Sequence, residues 1–106
     1  MSNYMRLFVF FDLPVVRTID RKNATNFRRF LLKDGYDMIQ FSVYCRICNG
    51  YDGMKKHKKR LTEKLPPRGS VRMLVITEKQ FEEMNFLVGN RTKKEELITE
   101  KQLTIF

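Results

Sequence analysis

At 106 residues the chain is long enough for one hydrophobic core and too short for two. Its 42% hydrophobic and 12% aromatic content excludes a disordered chain. A formal charge of +9, with a pI near 9.8, calls for a polyanionic partner, nucleic acid before any other.

The excess of cations is local. Lys55, Lys56, Lys58, Lys59, Arg60, Lys64, Arg68 and Arg72 face only Asp52 and Glu63 across residues 52–72, whereas the chain from Met73 onward is slightly acidic. The N-terminus lacks the ordered parts of a signal peptide, and the apolar run Leu7 to Phe11 is far too short to cross a bilayer. No helix carries an exposed Trp/Phe face suited to a membrane surface. The expected location is therefore cytoplasmic, without a membrane partner.

In chain order, the first strand runs from about Met5 to Asp12. A helix opens around Arg17 to Asp20, with Thr18 or Asp20 as its cap. Ala24, Phe27, Phe30 and Leu31 share one side of it, and Arg21, Lys22, Arg28, Arg29 and Lys33 crowd the opposite arc. Gly35 closes it as a C′ residue. Tyr36 to Ile47 alternates cleanly and is long enough to bend or to split into two paired strands. Asn49-Gly50 and Asp52-Gly53 read as a loop.

A second helix is expected over about Met54 to Leu65, with Met54, Leu61 and Leu65 inward and Lys55, Lys56, Lys59 and Arg60 outward. Pro66-Pro67 stops it. His57, inside the lysine run, reads as a surface residue. Gly69 to Thr77 is a β-branched strand. Beyond it, "FLVG" suggests a short strand, "NRTKKEEL" a polar connection and "QLTIF" a terminal strand. Glu78, Glu82 and Glu83 have no placement from sequence. The Glu95–Glu100 segment is either a partner surface or a solvated tail.

The order β-α-β(β)-α-β is the split βαβ, or ferredoxin-like, plan of a single α+β domain over residues 1–106, with a core over about 4–84 and an 85–106 extension. Right-handed crossovers place both helices on one side of the sheet, so their basic faces point outward together. The other sheet face has no helix to cover it. A two-fold copy packed sheet to sheet would bury it, giving a homodimer.

Three sites of chemistry deserve weighing. Cys45 and Cys48 form C-R-I-C, but a structural zinc needs about four ligands and His57 is the only other soft one, so reduced thiols are expected. "LFVFFDLP" resembles the first-strand motif of RNA-recognition domains, yet "IQFSVYCRI" lacks the basic-Gly start and paired aromatics of their second motif. Asp12 ends the first strand just before Leu13-Pro14. It fits a turn carboxylate, and it fits a divalent-cation ligand; in a homodimer a two-fold axis near the strand end would bring two copies together.

The set "MRLFVFFDLP", an Arg-rich helix ending "FLLKDGY", "MIQFSVYCRI" and "GSVRMLVITEKQF" resembles the small CRISPR-associated adaptation subunit, the dimeric partner of the CRISPR integrase. "TEKQF" and "FLVGN" are similar to the type II variant. The resemblance implies a ferredoxin-like homodimer with facing sheets, whose C-terminal strand, here "QLTIF", crosses to the partner. It implies that Asp12 is a catalytic ligand for Mg²⁺ or another divalent cation at the dimer axis. It also implies endonuclease activity on single-stranded RNA or duplex DNA, binding of prespacer duplex, and contact with integrase subunits. Ser42 and Tyr44 match its second-strand signature. Phosphate contacts are expected from Arg17, Arg21, Lys22, Arg28, Arg29, Lys55, Lys56, Lys59, Arg60 and Arg72. Two other classes remain open: a stand-alone toxin-like ribonuclease and a non-catalytic RNA-binding module.

Overall fold

The computed structural model describes residues 3–89, and its sheet is built around β1, Tyr4–Asp12. Leu7, Val9 and Phe11 bury on one side of this strand and Phe8 on the other, which is why its sequence is nearly continuously apolar. β1 pairs antiparallel with β3, Val43–Asn49, and with β4, Ser70–Thr77; β2, Asp37–Gln40, pairs antiparallel with β3. The sheet order is β2-β3-β1-β4. With α1, Thr18–Lys33, and α2, Gly50–Glu63, the chain order is the expected ferredoxin-like βαββαβ.

Both helices cover one sheet face. Leu7, Val9, Phe11 and Tyr44 of the strands meet Phe27 and Leu31 of α1 and Leu61 of α2 in a single cluster. Each such side chain taken fully from water contributes roughly 1.5–3 kcal/mol. α1 ends as its sequence predicts: Gly35 N–H donates to the Leu32 carbonyl and Tyr36 N–H to the Leu31 carbonyl, the paired bonds of a Schellman turn. Its start differs from the expectation. Arg17, not Thr18 or Asp20, takes the N-cap; its guanidinium has no acceptor for a cap bond and pairs with the Asp20 carboxylate instead.

The 36–47 stretch splits at Phe41-Ser42 into β2 and β3, with a register irregularity between Met38 and Gln40. The Ser42 carbonyl accepts the Phe11 N–H at 3.1 Å, tying this turn to the end of β1.

The start of α2 corrects another expectation. It begins at Gly50 rather than Met54, so the two dipeptides that read as a loop form its first turn; Gly50 N–H donates to the Asn3 carbonyl at 2.9 Å. Leu65 falls beyond the helix and is 47% exposed, not inward. His57 is buried, not a surface residue, because Asp34 and Arg46 draw its ring inward.

The second sheet face is not bare either. A short helix, α3, Glu78–Glu82, lies on it, started by a capping box between Thr77 and Gln80. Arg6 donates to Glu78 through Nε at 2.7 Å and Nη2 at 2.8 Å, and its guanidinium lies 4.2 Å over the Phe81 ring. Phe81 in turn packs on Phe8, their ring centroids 5.8 Å apart. The "FLVG" residues form no strand; Phe86, Val88 and Gly89 of them line an apolar groove on this face with Phe10, Leu74 and Met84. The expected terminal strand "QLTIF", the "NRTKKEEL" connection and the Glu95–Glu100 segment lie outside the described residues. No helix among the described residues is long and apolar enough to cross a membrane.

Cys45 pairs in register with Phe8 on the α3 side, and Cys48 with Met5 three positions on, toward the helices. A spacing of three along a strand puts the two on opposite faces, where they cannot share an ion. Neither forms a disulfide.

Candidate functional site at the carboxyl end of the first strand

Asp12 is the last residue of β1 and is exposed. It pairs in register with Ser70, which puts its side chain on the face of Phe8 and Phe10, away from the helices. No hydrogen bond or ion pair engages its carboxylate among the described residues. An Asx turn needs the N–H two residues on, and Pro14 has none. The turn reading of Asp12 therefore lacks its hydrogen bond.

Neighbouring elements hold this strand end in place. Gly69, at φ +104°, lies so close that a Cβ there would stand 2.7 Å from the Asp12 carbonyl oxygen and 2.8 Å from a Leu13 methyl. From sequence Gly69 reads only as the start of the strand Gly69 to Thr77, whereas β4 begins at Ser70. The loop preceding β4 is pinned by Asp20, whose carboxylate accepts from Arg17 at 2.8 and 3.0 Å and from Arg68 at 2.9 Å. The Arg17 hydrogen bonds, aided by Arg68, hold Asp20 below the usual carboxylate range against its burial. Its spacing after Arg17, i and i+3, was the available signal.

One arginine shares the sheet face of the carboxylate. Arg72 pairs in register with Phe10, on the same face as Asp12 and one step along, and is exposed. Arg21 is exposed and spends part of its guanidinium on the Val15 and Val16 carbonyls, at 3.1 and 2.7 Å. Arg28 is half-buried rather than outward, its guanidinium 5.5 Å over Phe11 and 5.3 Å over Phe41. Arg72 thus lies on the sheet face of Asp12, whereas Arg17, Arg21 and Arg28 lie with α1 on the other side.

The remaining basic residues form a separate surface on the helix layer. Lys22 and Arg29 of α1 and Lys56 and Lys59 of α2 are exposed without an acid partner among the described residues. Lys55 is also exposed, its Nζ 5.0 Å over the Tyr51 ring. Arg60 is tied to Asp34 at 2.9 Å. That aspartate belongs to a buried network: His57 Nδ1 lies 2.9 Å from Asp34 Oδ2, and Arg46 donates to the Asp34 carbonyl. Burial works against the Asp34 carboxylate, but hydrogen bonds from His57 and Arg60 outweigh it and hold it below the usual range.

One carboxylate per chain fits a divalent cation only as half of a site. Among the described residues no group of three or more His, Cys, Asp and Glu could hold a metal ion. An exposed hard oxygen ligand, unpaired among the described residues, suits Mg²⁺ or another hard divalent cation, which accepts one or two carboxylates and fills the remainder with water and phosphate oxygens.

A four-stranded antiparallel sheet carrying two helices on one face, with a lone carboxylate at the end of its first strand, defines a small basic protein of the ferredoxin-like class. Residues 5–84 match the family described as CRISPR associated protein Cas2, and the chain belongs to that family. It is 57% identical over 102 residues to a CRISPR-associated endoribonuclease Cas2 of Acidovorax ebreus (strain TPSY), covering 96% of this chain and 100% of that protein. A protein of the same name from Campylobacter jejuni is 44% identical over 105 residues, 99% of this chain and 73% of the relative. A solved Cas2 crystal structure has a TM-score of 0.57 at 19% identity, covering 85% of this chain and 91% of its own; this likeness bears on the fold alone.

Proposed function

We propose that the chain acts in CRISPR adaptation as a homodimer that holds nucleic acid by its phosphates and cuts it at a paired Asp12 site. The observation that carries this reading is the Asp12 carboxylate itself: exposed, without a partner among the described residues, and aligned with Arg72 on the sheet face away from the helices. The names of the relatives, endoribonucleases, support RNA as the cleaved substrate. The basic helix layer supports a second, separable role, binding duplex prespacer DNA and bridging integrase subunits.

Asp12 of each protomer would hold half of a divalent-cation site. When bound, such a cation neutralises charge on a phosphodiester and lowers the pKa of a bound water. The chain's own part is to fix the carboxylate through Gly69 and the Arg17–Asp20–Arg68 cluster, and to orient phosphate oxygens with Arg72. The helix-layer lysines contact backbone phosphates without reading bases.

The test is cleavage of single-stranded RNA and of duplex DNA by wild type and Asp12→Ala, with and without Mg²⁺, alongside duplex binding and solution mass. The expected result is Mg²⁺-dependent cleavage that Asp12→Ala abolishes while mass and duplex affinity stay unchanged. Equal cutting by both proteins would move the cleavage site away from Asp12, and none by either would leave a nucleic-acid scaffold in place of a nuclease.

A further inference from the structure

Between α1 and α2 lies an open groove of about 780 Å³, lined also by the Leu65–Pro67 segment and without Asp12 in its lining. Its floor is apolar: Phe27 is packed beneath, Phe30 is half-buried, and Leu65 is 47% exposed. Its walls are cationic. Arg29 and Lys33 of α1 and Lys64 after α2 are exposed, with no acid partner among the described residues. The one carboxylate in the lining, Asp34, has both oxygens engaged, one by His57 and one by Arg60. The groove therefore presents positive charge around an exposed apolar strip.

A nucleic-acid backbone uses only half of this. Phosphates satisfy the cations, but they gain nothing from Phe30 and Leu65, and burying those side chains needs an apolar group. Asn23 and Asn26 add carboxamides three residues apart on the α1 wall, each able to donate to and accept from a peptide main chain. An acidic peptide with one large apolar side chain satisfies all three features.

We infer that the groove between α1 and α2 docks an acidic polypeptide segment of a partner protein, anchored by an aromatic or aliphatic side chain on Phe30 and Leu65. This goes beyond the nucleic-acid reading and holds whether or not the Asp12 end cuts.

The experiment uses the intact chain and a hexapeptide carrying fluorescein on its N-terminal amine, Glu-Glu-Leu-Phe-Glu-Glu-amide, with binding followed by anisotropy. Saturable binding is expected. Exchanging the central Leu-Phe of the peptide for Ser-Ser should weaken it by about ten-fold, roughly what the loss of one or two buried apolar groups produces. Leu65→Ser removes the exposed anchor without altering charge or the buried core. It should weaken the peptide by about ten-fold while changing affinity for a 30-base-pair duplex by less than about two-fold. The inference is overturned if the peptide shows no saturable binding. It is equally overturned if binding ignores both the Ser-Ser exchange and Leu65→Ser, or if Leu65→Ser weakens the duplex in parallel, which would assign the groove to nucleic acid.

Discussion

A glycine decides how closely the loop before β4 approaches Asp12. Any Cβ at residue 69 meets the Asp12 carbonyl oxygen at 2.7 Å, and backbone cannot swing aside as a side-chain tip can. The φ of +104° adds strain for any L side chain. Gly69→Ala is therefore expected to cost about 1–3 kcal/mol by urea denaturation, and to reduce cleavage by displacing the carboxylate, whereas Ser70→Ala next to it stays near neutral. The buried network at the far end of α1 makes a different prediction. Asp34 titrates below the usual aspartate range in the folded chain, so its contribution to stability is complete above the unfolded value, about 3.9, and is lost as pH falls through the lower folded value. Asp34→Asn should cost about 1–3 kcal/mol at pH 7, through the hydrogen bonds lost to His57 and Arg60, and should flatten the acid limb below about pH 4. Urea midpoints between pH 7 and 3 measure both effects; parallel acid limbs would show that Asp34 does not set this slope.

At the scale of elements, α3 is the piece that the sequence concealed. Five helical residues are too few for a periodic pattern, and what fixes them is a contact across 72 positions, between Arg6 and Glu78. Strand alternation has no means of showing which acid an inward-facing arginine will meet. By contrast, β1 and α1 were legible because each buries an apolar face, as with Ala24, Phe27 and Leu31 along α1, whereas the alternation of 36–47 left open whether it bends or splits. Asp12 was legible as an anomaly, a charge ending a greasy strand, but its lack of a partner and the glycine beside it needed coordinates. His57 was misread because its lysine neighbours signal solvent, while the groups that hold it inward come from the α1 end and β3. The Arg6–Glu78 pair, largely screened from water and stacked on Phe81, should couple strongly. Removing Glu78 alone is expected to cost about 2–4 kcal/mol, because Arg6 is then buried without its anion, and a double-mutant cycle with Arg6→Met should recover much of that loss. A coupling energy near zero by chemical denaturation would mean that apolar packing of Phe81 on Phe8 alone seats the helix.

For the whole molecule, the deciding question is what meets the sheet face away from the helices. α3 shields Phe8, but Leu74 remains 50% exposed, and Phe86 and Val88 after α3 are 42% and 95% exposed. Apolar groups left open around a strand end suit a second copy of the same face, since a two-fold axis turns one surface into its own complement. The same axis is what the single Asp12 per chain requires. Leu74 separates these ideas well, because its side chain is half in water in the protomer and lies outside the helix-side core. Leu74→Glu should change protomer stability by about 0.5 kcal/mol or less, yet it would bury two carboxylates without partners across a face-to-face contact. Sedimentation velocity at micromolar concentration is expected to show a dimer for the wild type and a monomer for the variant, with cleavage lost although Asp12 is intact. Duplex affinity should fall as well, because two linked basic helix layers bind one long duplex more tightly than either does alone. A Leu74→Glu protein that stays dimeric would move the interface elsewhere. One that becomes monomeric and still cuts would show that a single Asp12 suffices, and the half-site reading would fall.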